Sequence, residues 1–171
     1  MARSGIEDYL DALIYALRQV KGAYSLLVMN KDKFYAVRDP YGFRPLVLGK
    51  VKDTYVIASE TCAFDIIDAE YIREVKPGEL IEFSKRGIKS YFPFSTKKQS
   101  LCVFEYIYFS RPDSMIFNES VYEMRLQMGQ MLAKQSPVEG DLVVPIPDSS
   151  ICAAIGYSRE SGIPYDLAMI R

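Results

Sequence analysis

The sequence predicts a mixed protein in two parts, α+β and mainly antiparallel at first, then the beginning of a parallel α/β sheet. Three observations predict this. A series of short apolar runs between residues 23 and 92 is punctuated by glycine, proline and charged turns, the spacing of antiparallel strands. After residue 100 the order becomes helix, strand, loop, helix, strand, which is how a parallel α/β domain starts. Between the two lies residues 94–100 (FSTKKQS), a polar stretch with the composition of a boundary.

Residues 5–20 place Ile6, Leu10, Leu13, Ile14, Leu17 and Val20 at helical spacing, and Lys21-Gly22 supplies a basic last turn and a terminating glycine. Residues 23–30 (AYSLLVMN) are almost unbroken apolar, the pattern of a strand buried on both faces. Lys31-Asp32 makes a tight turn into a second strand at 33–38. Residues 39–45 (DPYGFRP), with two prolines and a glycine, form a turn in which Asp39 and Gly42 shape the backbone and Arg38 and Arg44 find nearby carboxylates. Strands follow at 46–49 and 54–59, then a short helix at 60–67. Three more strands, 71–76, 79–84 and 88–92, are separated by Pro77-Gly78 and Lys85-Arg86-Gly87. Residues 102–109 are aromatic and apolar and read as a strand leading into the turn-forming 110–114 (SRPDS). Residues 121–134 form a helix with Val121, Met124, Met128, Met131 and Leu132 on its apolar face. A buried strand at 141–146 (DLVVPI) enters the loop 147–150 (PDSS) and a helix at 151–161, and Gly162-Ile163-Pro164 turns the chain into a last strand at 165–170. One such βαβ unit cannot cover both faces of its sheet, so the second part is expected to be incomplete as it stands.

Composition narrows the function classes. The chain has 171 residues, 49% of them apolar, and 21 basic against 22 acidic residues give a net charge of −1. That balance supports neither a nucleic-acid partner nor a membrane surface. No apolar run reaches the length of a membrane span, and the first 19 residues read as an amphipathic helix and not as a signal peptide. Cys62, Cys102 and Cys152 are widely spaced and odd in number, which suits a reducing cytoplasm and not a disulfide framework. The absence of histidine removes Ser-His and Cys-His catalysis and imidazole-bound zinc.

An ordered set of motifs then runs along the chain: Gly22-Ala23-Tyr24-Ser25, Arg38-Asp39-Pro40-Tyr41-Gly42-Phe43-Arg44-Pro45-Leu46, Ala58-Ser59-Glu60-Thr61 with Ala63-Phe64-Asp65, and Pro77-Gly78-Glu79. Phe104-Glu105-Tyr106-Ile107-Tyr108-Phe109 with Arg111-Pro112-Asp113-Ser114, and Pro147-Asp148-Ser149-Ser150, complete it. In order and spacing the set resembles the amidophosphoribosyltransferase family. RDP-GFRPL is shared more widely among N-terminal-nucleophile glutaminases; FEYIYFSRPDS narrows the match. The resemblance implies the rear half of a glutaminase sandwich at 1–95, a connecting segment at 96–120, and the front of a phosphoribosyltransferase-type parallel sheet at 121–171. It implies an enzyme that moves ammonia from glutamine to phosphoribosylpyrophosphate in the first step of purine nucleotide synthesis, and either a homo-oligomer or a segment completed by the rest of the enzyme. Family members use an N-terminal cysteine nucleophile and a Val-Asp-Asp-Ser phosphate loop. Neither is found here, since Met1 is followed by Ala2, so the segment by itself is expected to be inactive and to contribute no catalytic residue. The rival is a non-catalytic binding or interaction module derived from that enzyme.

Two residues carry cofactor readings. Cys102 precedes the FEYIYF run by two positions, where iron–sulfur members of the family place a ligand of a [4Fe-4S] cluster; the alternative is a buried free cysteine of the core. Ser149 matches the serine that helps bind magnesium in the family's phosphoribosylpyrophosphate complex. It lies where a strand hands over to a helix, a place where α/β folds bind anions; the alternative is a helix N-cap by Asp148, Ser149 or Ser150. Arg111 and Asp113 either line an interface between active sites or form a local pair. Tyr106 and Tyr108 are either cavity-facing or aromatic core.

Overall fold

A computed structural model describes residues 5–95 and 97–170. Met1 and Ala2, on which the expectation of a missing nucleophile rests, lie outside them. The fold mixes helices and sheets and groups into two compact units. One takes in the chain up to Ser59 together with Ala69–Cys102; the other takes in Glu60–Asp68 and the chain from Val103 onward.

The first unit begins with α1 (Tyr9–Leu17), shorter than the sequence pattern because Asp8 caps it, its carboxylate accepting from the Asp11 amide at 2.9 Å. Strands β1 (Ser25–Met29) and β2 (Phe34–Arg38) pair antiparallel, followed by β3 (Val47–Val51), β4 (Thr54–Ala58), β5 (Glu70–Glu74), β6 (Leu80–Ser84) and β7 (Gly87–Tyr91). They build two antiparallel sheets, ordered β1-β2-β6-β7 and β4-β3-β5. The alternation of side chains along β2 and β6 separates two cores. Tyr35, Val37 and Leu80 pack with Leu13 and Leu17 of α1, while Ala36 and Ile81 pack with Leu46, Leu48 and Val75. Each fully buried Leu or Ile here contributes roughly 1.5–3 kcal/mol. β1 corrects the sequence reading. It is an edge strand with Leu27 and Met29 exposed, not a strand buried on both faces, because an apolar run does not reveal whether a second neighbour pairs with it.

A buried polar network fixes the DPYGFRP turn. Arg38 donates to the carbonyls of Arg44 (2.8 Å), Val75 (2.6 Å) and Gly42 (3.1 Å) and reaches Glu74 Oε2 at 3.3 Å. The Asp39 carboxylate accepts from the Tyr41 and Phe43 amides, as an Asx-type turn requires.

In the second unit, α2 (Cys62–Ile66) precedes a five-residue π-helix, Glu105–Phe109. The expected strand over 102–109 is thus a helical turn; its aromatic–apolar alternation is packing, not pleat. A small hairpin follows, β8 (Met115–Ile116) with β9 (Glu119–Ser120), then α3 (Val121–Gln135) and α4 (Ile151–Ser161). Ser120 caps α3 by accepting from the Glu123 amide at 3.3 Å. The buried face of α3 is Val121, Arg125, Leu126, Gly129 and Ala133; Met131 and Leu132 are exposed, against expectation. The reason is helix crossing. A Cβ on Gly129 would sit 1.9 Å from the Ala153 carbonyl oxygen, and one on Gly156 would sit 2.1 Å from that of Leu126, so α3 and α4 touch through backbone. Residues 141–146 are not a buried strand either: Val143 makes one parallel bridge to Tyr165, and Leu142 and Ile146 are exposed. An extended segment without sheet on its far side keeps its apolar side chains in solvent.

Candidate functional site

The second unit carries a cavity of 410 Å³ lined by Tyr108, Ser110 and Arg111, by Arg125 of α3, and by Asp148 and Ser149 of the PDSS loop. Each wall has a local cause. The π-helix leaves carbonyls at its end without intrahelical partners. Arg125 fills them: its Nε donates to the Tyr106 carbonyl and its Nη2 to that of Ser110 at 2.8 Å. The Ser110 hydroxyl donates to Glu105 Oε2 at 2.8 Å, and both residues are buried. Beyond the π-helix, the Arg111 guanidinium grips Asp113 through Nε (3.0 Å) and Nη2 (2.7 Å). This is the local pair the sequence suggested. It holds the Arg111 guanidinium above its ordinary value and the Asp113 carboxyl below its own.

The loop wall comes from α4. Ser150, which precedes the helix, does not cap it, because its hydroxyl donates backward to the Ile146 carbonyl. The Ser150 side chain therefore gives the first turn no cap, and the N-terminal end of the helix dipole is directed at the loop. Ser149 sits in the cavity wall and not in a capping bond. Burial lowers the Arg125 guanidinium from its usual range, while charge on Cys152 and Glu60 works the other way. The Cys152 thiol is pushed up by burial, with Arg125 partly opposing.

The cavity thus brings together Ser149, Asp148, Arg111 and Tyr108 of the sequence candidates. Tyr106 is core instead, its hydroxyl donating to the Ile116 carbonyl at 3.1 Å. Cys102 belongs to the first unit, partly buried, its amide donating to the Phe43 carbonyl at 3.1 Å. Sequence reasoning passed over Arg125, because a charged residue inside a helical pattern reads as its solvent face. The available signal was Arg125-Gly129-Ala133 at intervals of four, a stripe that marks a close helix contact.

The donor sets decide what these residues can hold. No group of three or more His, Cys, Asp or Glu gathers among the described residues. A [4Fe-4S] cluster needs four thiolates, and three free cysteines do not make that set; Cys102 supplies at most one. Magnesium suits the cavity better, since it takes few protein oxygens and keeps water and phosphate oxygens as its other ligands. Ser149 Oγ and the neighbouring Asp148 carboxylate are donors of that kind. No helix among the described residues is long and apolar enough to cross a membrane.

Residues 6–65 match the family model described as "Glutamine amidotransferase domain". The chain is 46% identical over its whole length to the chloroplastic amidophosphoribosyltransferase 1 of Arabidopsis thaliana, covering 30% of that protein. It superposes with a TM-score of 0.95, at 47% identity, on the Bacillus subtilis glutamine phosphoribosylpyrophosphate amidotransferase solved with ADP and GMP, over 99% of this chain and 37% of that one. A second solved structure, described as the allosteric regulatory enzyme of purine biosynthesis, gives a TM-score of 0.93 at 48% identity, over 97% and 36%. The chain therefore spans about a third of the length of the relatives it matches.

Proposed function

The chain is similar to amidophosphoribosyltransferases from end to end, and from that likeness we propose that it is the stretch of such an enzyme joining the rear of the glutaminase sandwich to the front of the phosphoribosyltransferase sheet. The reaction assigned to the intact protein takes ammonia from the amide of glutamine and places it on C1 of phosphoribosylpyrophosphate. The products are 5-phosphoribosylamine, pyrophosphate and glutamate, at the opening of purine nucleotide synthesis. The segment by itself performs neither half of this reaction. A cytoplasmic location, homo-oligomeric assembly and a Cys102 contribution to an iron–sulfur cluster in the intact enzyme belong to the same proposal.

The observation that carries it is the cavity between the PDSS loop and the arginines. A diphosphate presents negative oxygens, and this wall offers what they need: the cationic groups of Arg111 and Arg125, a serine hydroxyl, and the N-terminal end of α4. As the bond from C1 to the diphosphate breaks, charge builds on the departing oxygens, and fixed donors already in place stabilise it without reorganising. Ser149 binds and orients the diphosphate, and Asp148 sits beside it. Ser149 and Asp148 would hold magnesium there, which would supply neutralisation of phosphate charge.

The test is steady-state kinetics of the intact protein. Ser149→Ala is expected to raise the KM for phosphoribosylpyrophosphate roughly tenfold, the worth of one hydrogen bond to a charged group, with the KM for glutamine unchanged. An unaltered phosphoribosylpyrophosphate KM would overturn the assignment.

A further inference from the structure

We propose that Glu60 is a positioning residue for the diphosphate cavity, acting through the turn at residues 110–114 and not through substrate; the inference rests on the reading of that cavity given above. Glu60 lies two residues beyond the end of β4, yet it is grouped with the second unit. Its Oε2 accepts two hydrogen bonds from the turn, from the Arg111 amide at 2.7 Å and from the Ser114 hydroxyl at 2.9 Å. Its neighbour Thr61 adds a third tie, Oγ1 accepting from the Met115 amide at 2.8 Å.

The opposite side of the turn is pinned to the start of α3, with the Val121 amide donating to the Ser114 carbonyl at 3.0 Å and the Tyr122 amide to that of Pro112 at 3.0 Å. The turn is thus held from two sides, and on one of them the Glu60 carboxylate bonds its backbone directly. A carboxylate accepting from an amide and a hydroxyl is a charge-assisted bond, shorter and stronger than a neutral one. Arg111 is where this matters for function. Its guanidinium is already committed to Asp113, so the position of its charge follows from its backbone, and Glu60 sets that backbone. Removing the acceptor frees the Arg111 amide, lets the turn shift, and moves a cavity wall. Displacement of a binding wall by about 1 Å is enough to cost an order of magnitude or more.

The experiment uses the intact protein with Glu60→Ala, Glu60→Gln, Ser114→Ala and Ser149→Ala, reading KM and kcat for each substrate beside the melting temperature. Glu60→Ala is expected to raise the KM for phosphoribosylpyrophosphate about tenfold while kcat at saturation and the KM for glutamine stay near wild type. Glu60→Gln, which keeps one carbonyl acceptor, restores part of the loss, and Ser114→Ala added to Glu60→Ala costs nothing more. A general loss of structure would lower kcat for both substrates and would not be rescued by Gln. Should Glu60→Ala not fold, Glu60→Gln decides alone. A wild-type phosphoribosylpyrophosphate KM in folded Glu60 variants, with Ser149→Ala impaired, overturns the role of Glu60. A wild-type KM in Ser149→Ala as well places the failure in the reading of the cavity itself, and the inference falls with it.

Discussion

Each compact unit buries an arginine, and the two are used differently. Arg38, fully buried, closes its fork on three carbonyls and the Glu74 carboxylate. Arg125, 3% exposed, bonds two carbonyls of the π-helix region, takes part in no ion pair among the described residues, and borders a cavity. A buried charge with a carboxylate beside it is complete as architecture. A buried charge that only feels the Glu60 carboxylate through space, and that opens on a cavity, fits the anion site proposed above. The same residue type thus closes a structural joint in one unit and borders a cavity in the other, and its partners decide which.

The comparison can be broken most forcibly at the helix crossing that carries Arg125. Gly129→Ala pushes a methyl group into the Ala153 carbonyl and is expected to cost more than about 3 kcal/mol. Hydrogen exchange should show lost protection in α3 and α4 with β2 and β6 still protected; uniform protection would show that the crossing tolerates separation. Arg38→Met comes next, at about 3–5 kcal/mol, because it strands Glu74 and three carbonyls. Denaturant unfolding checks the cost, and the phosphoribosylpyrophosphate KM should not change. Arg125→Met should reverse that balance, with about 1–3 kcal/mol of stability lost but phosphoribosylpyrophosphate binding weakened at least tenfold.

A pH titration sharpens the contrast within the first unit. Glu79 is buried, which works to raise its carboxyl, yet the Arg73 fork at 2.8 and 2.7 Å, the Ser90 hydroxyl and the Lys76 amide hold it below the usual 4.5. A depressed carboxyl stabilises the fold above its unfolded value and loses that contribution as pH falls through its folded one. The advantage of wild type over Glu79→Gln in melting temperature should be complete at neutral pH and shrink below pH 4.5. The smallest effect is expected from Asp113→Asn, under about 1 kcal/mol, because both partners of that pair are in solvent.

The antiparallel part was legible because its strands are cut by Pro77-Gly78, Lys85-Arg86-Gly87 and the DPYGFRP turn, and β2 to β7 follow those cuts. What failed depends on neighbours that no local pattern reports. β1 is as apolar as a central strand but sits at an edge, and residues 141–146 are as apolar as a buried strand but make a single bridge. The π-helix was hidden because Glu105-Tyr106-Ile107-Tyr108-Phe109 fits a pleat as well as a turn. In the cavity wall, the position of Ser149 was legible from its place before a helix. Arg125 and Glu60 were not, because their partners are backbone groups and a hydroxyl distant in sequence, which leave no periodicity.

The central claim, that the PDSS loop and Arg125 form a diphosphate site, is tested most directly by a crystal structure of the intact protein soaked with magnesium pyrophosphate. The account predicts diphosphate density at the N-terminus of α4, within hydrogen-bond distance of Ser149 and the first-turn amides, with Arg125 on the opposite wall. Diphosphate bound elsewhere, with this cavity holding only water, would contradict it.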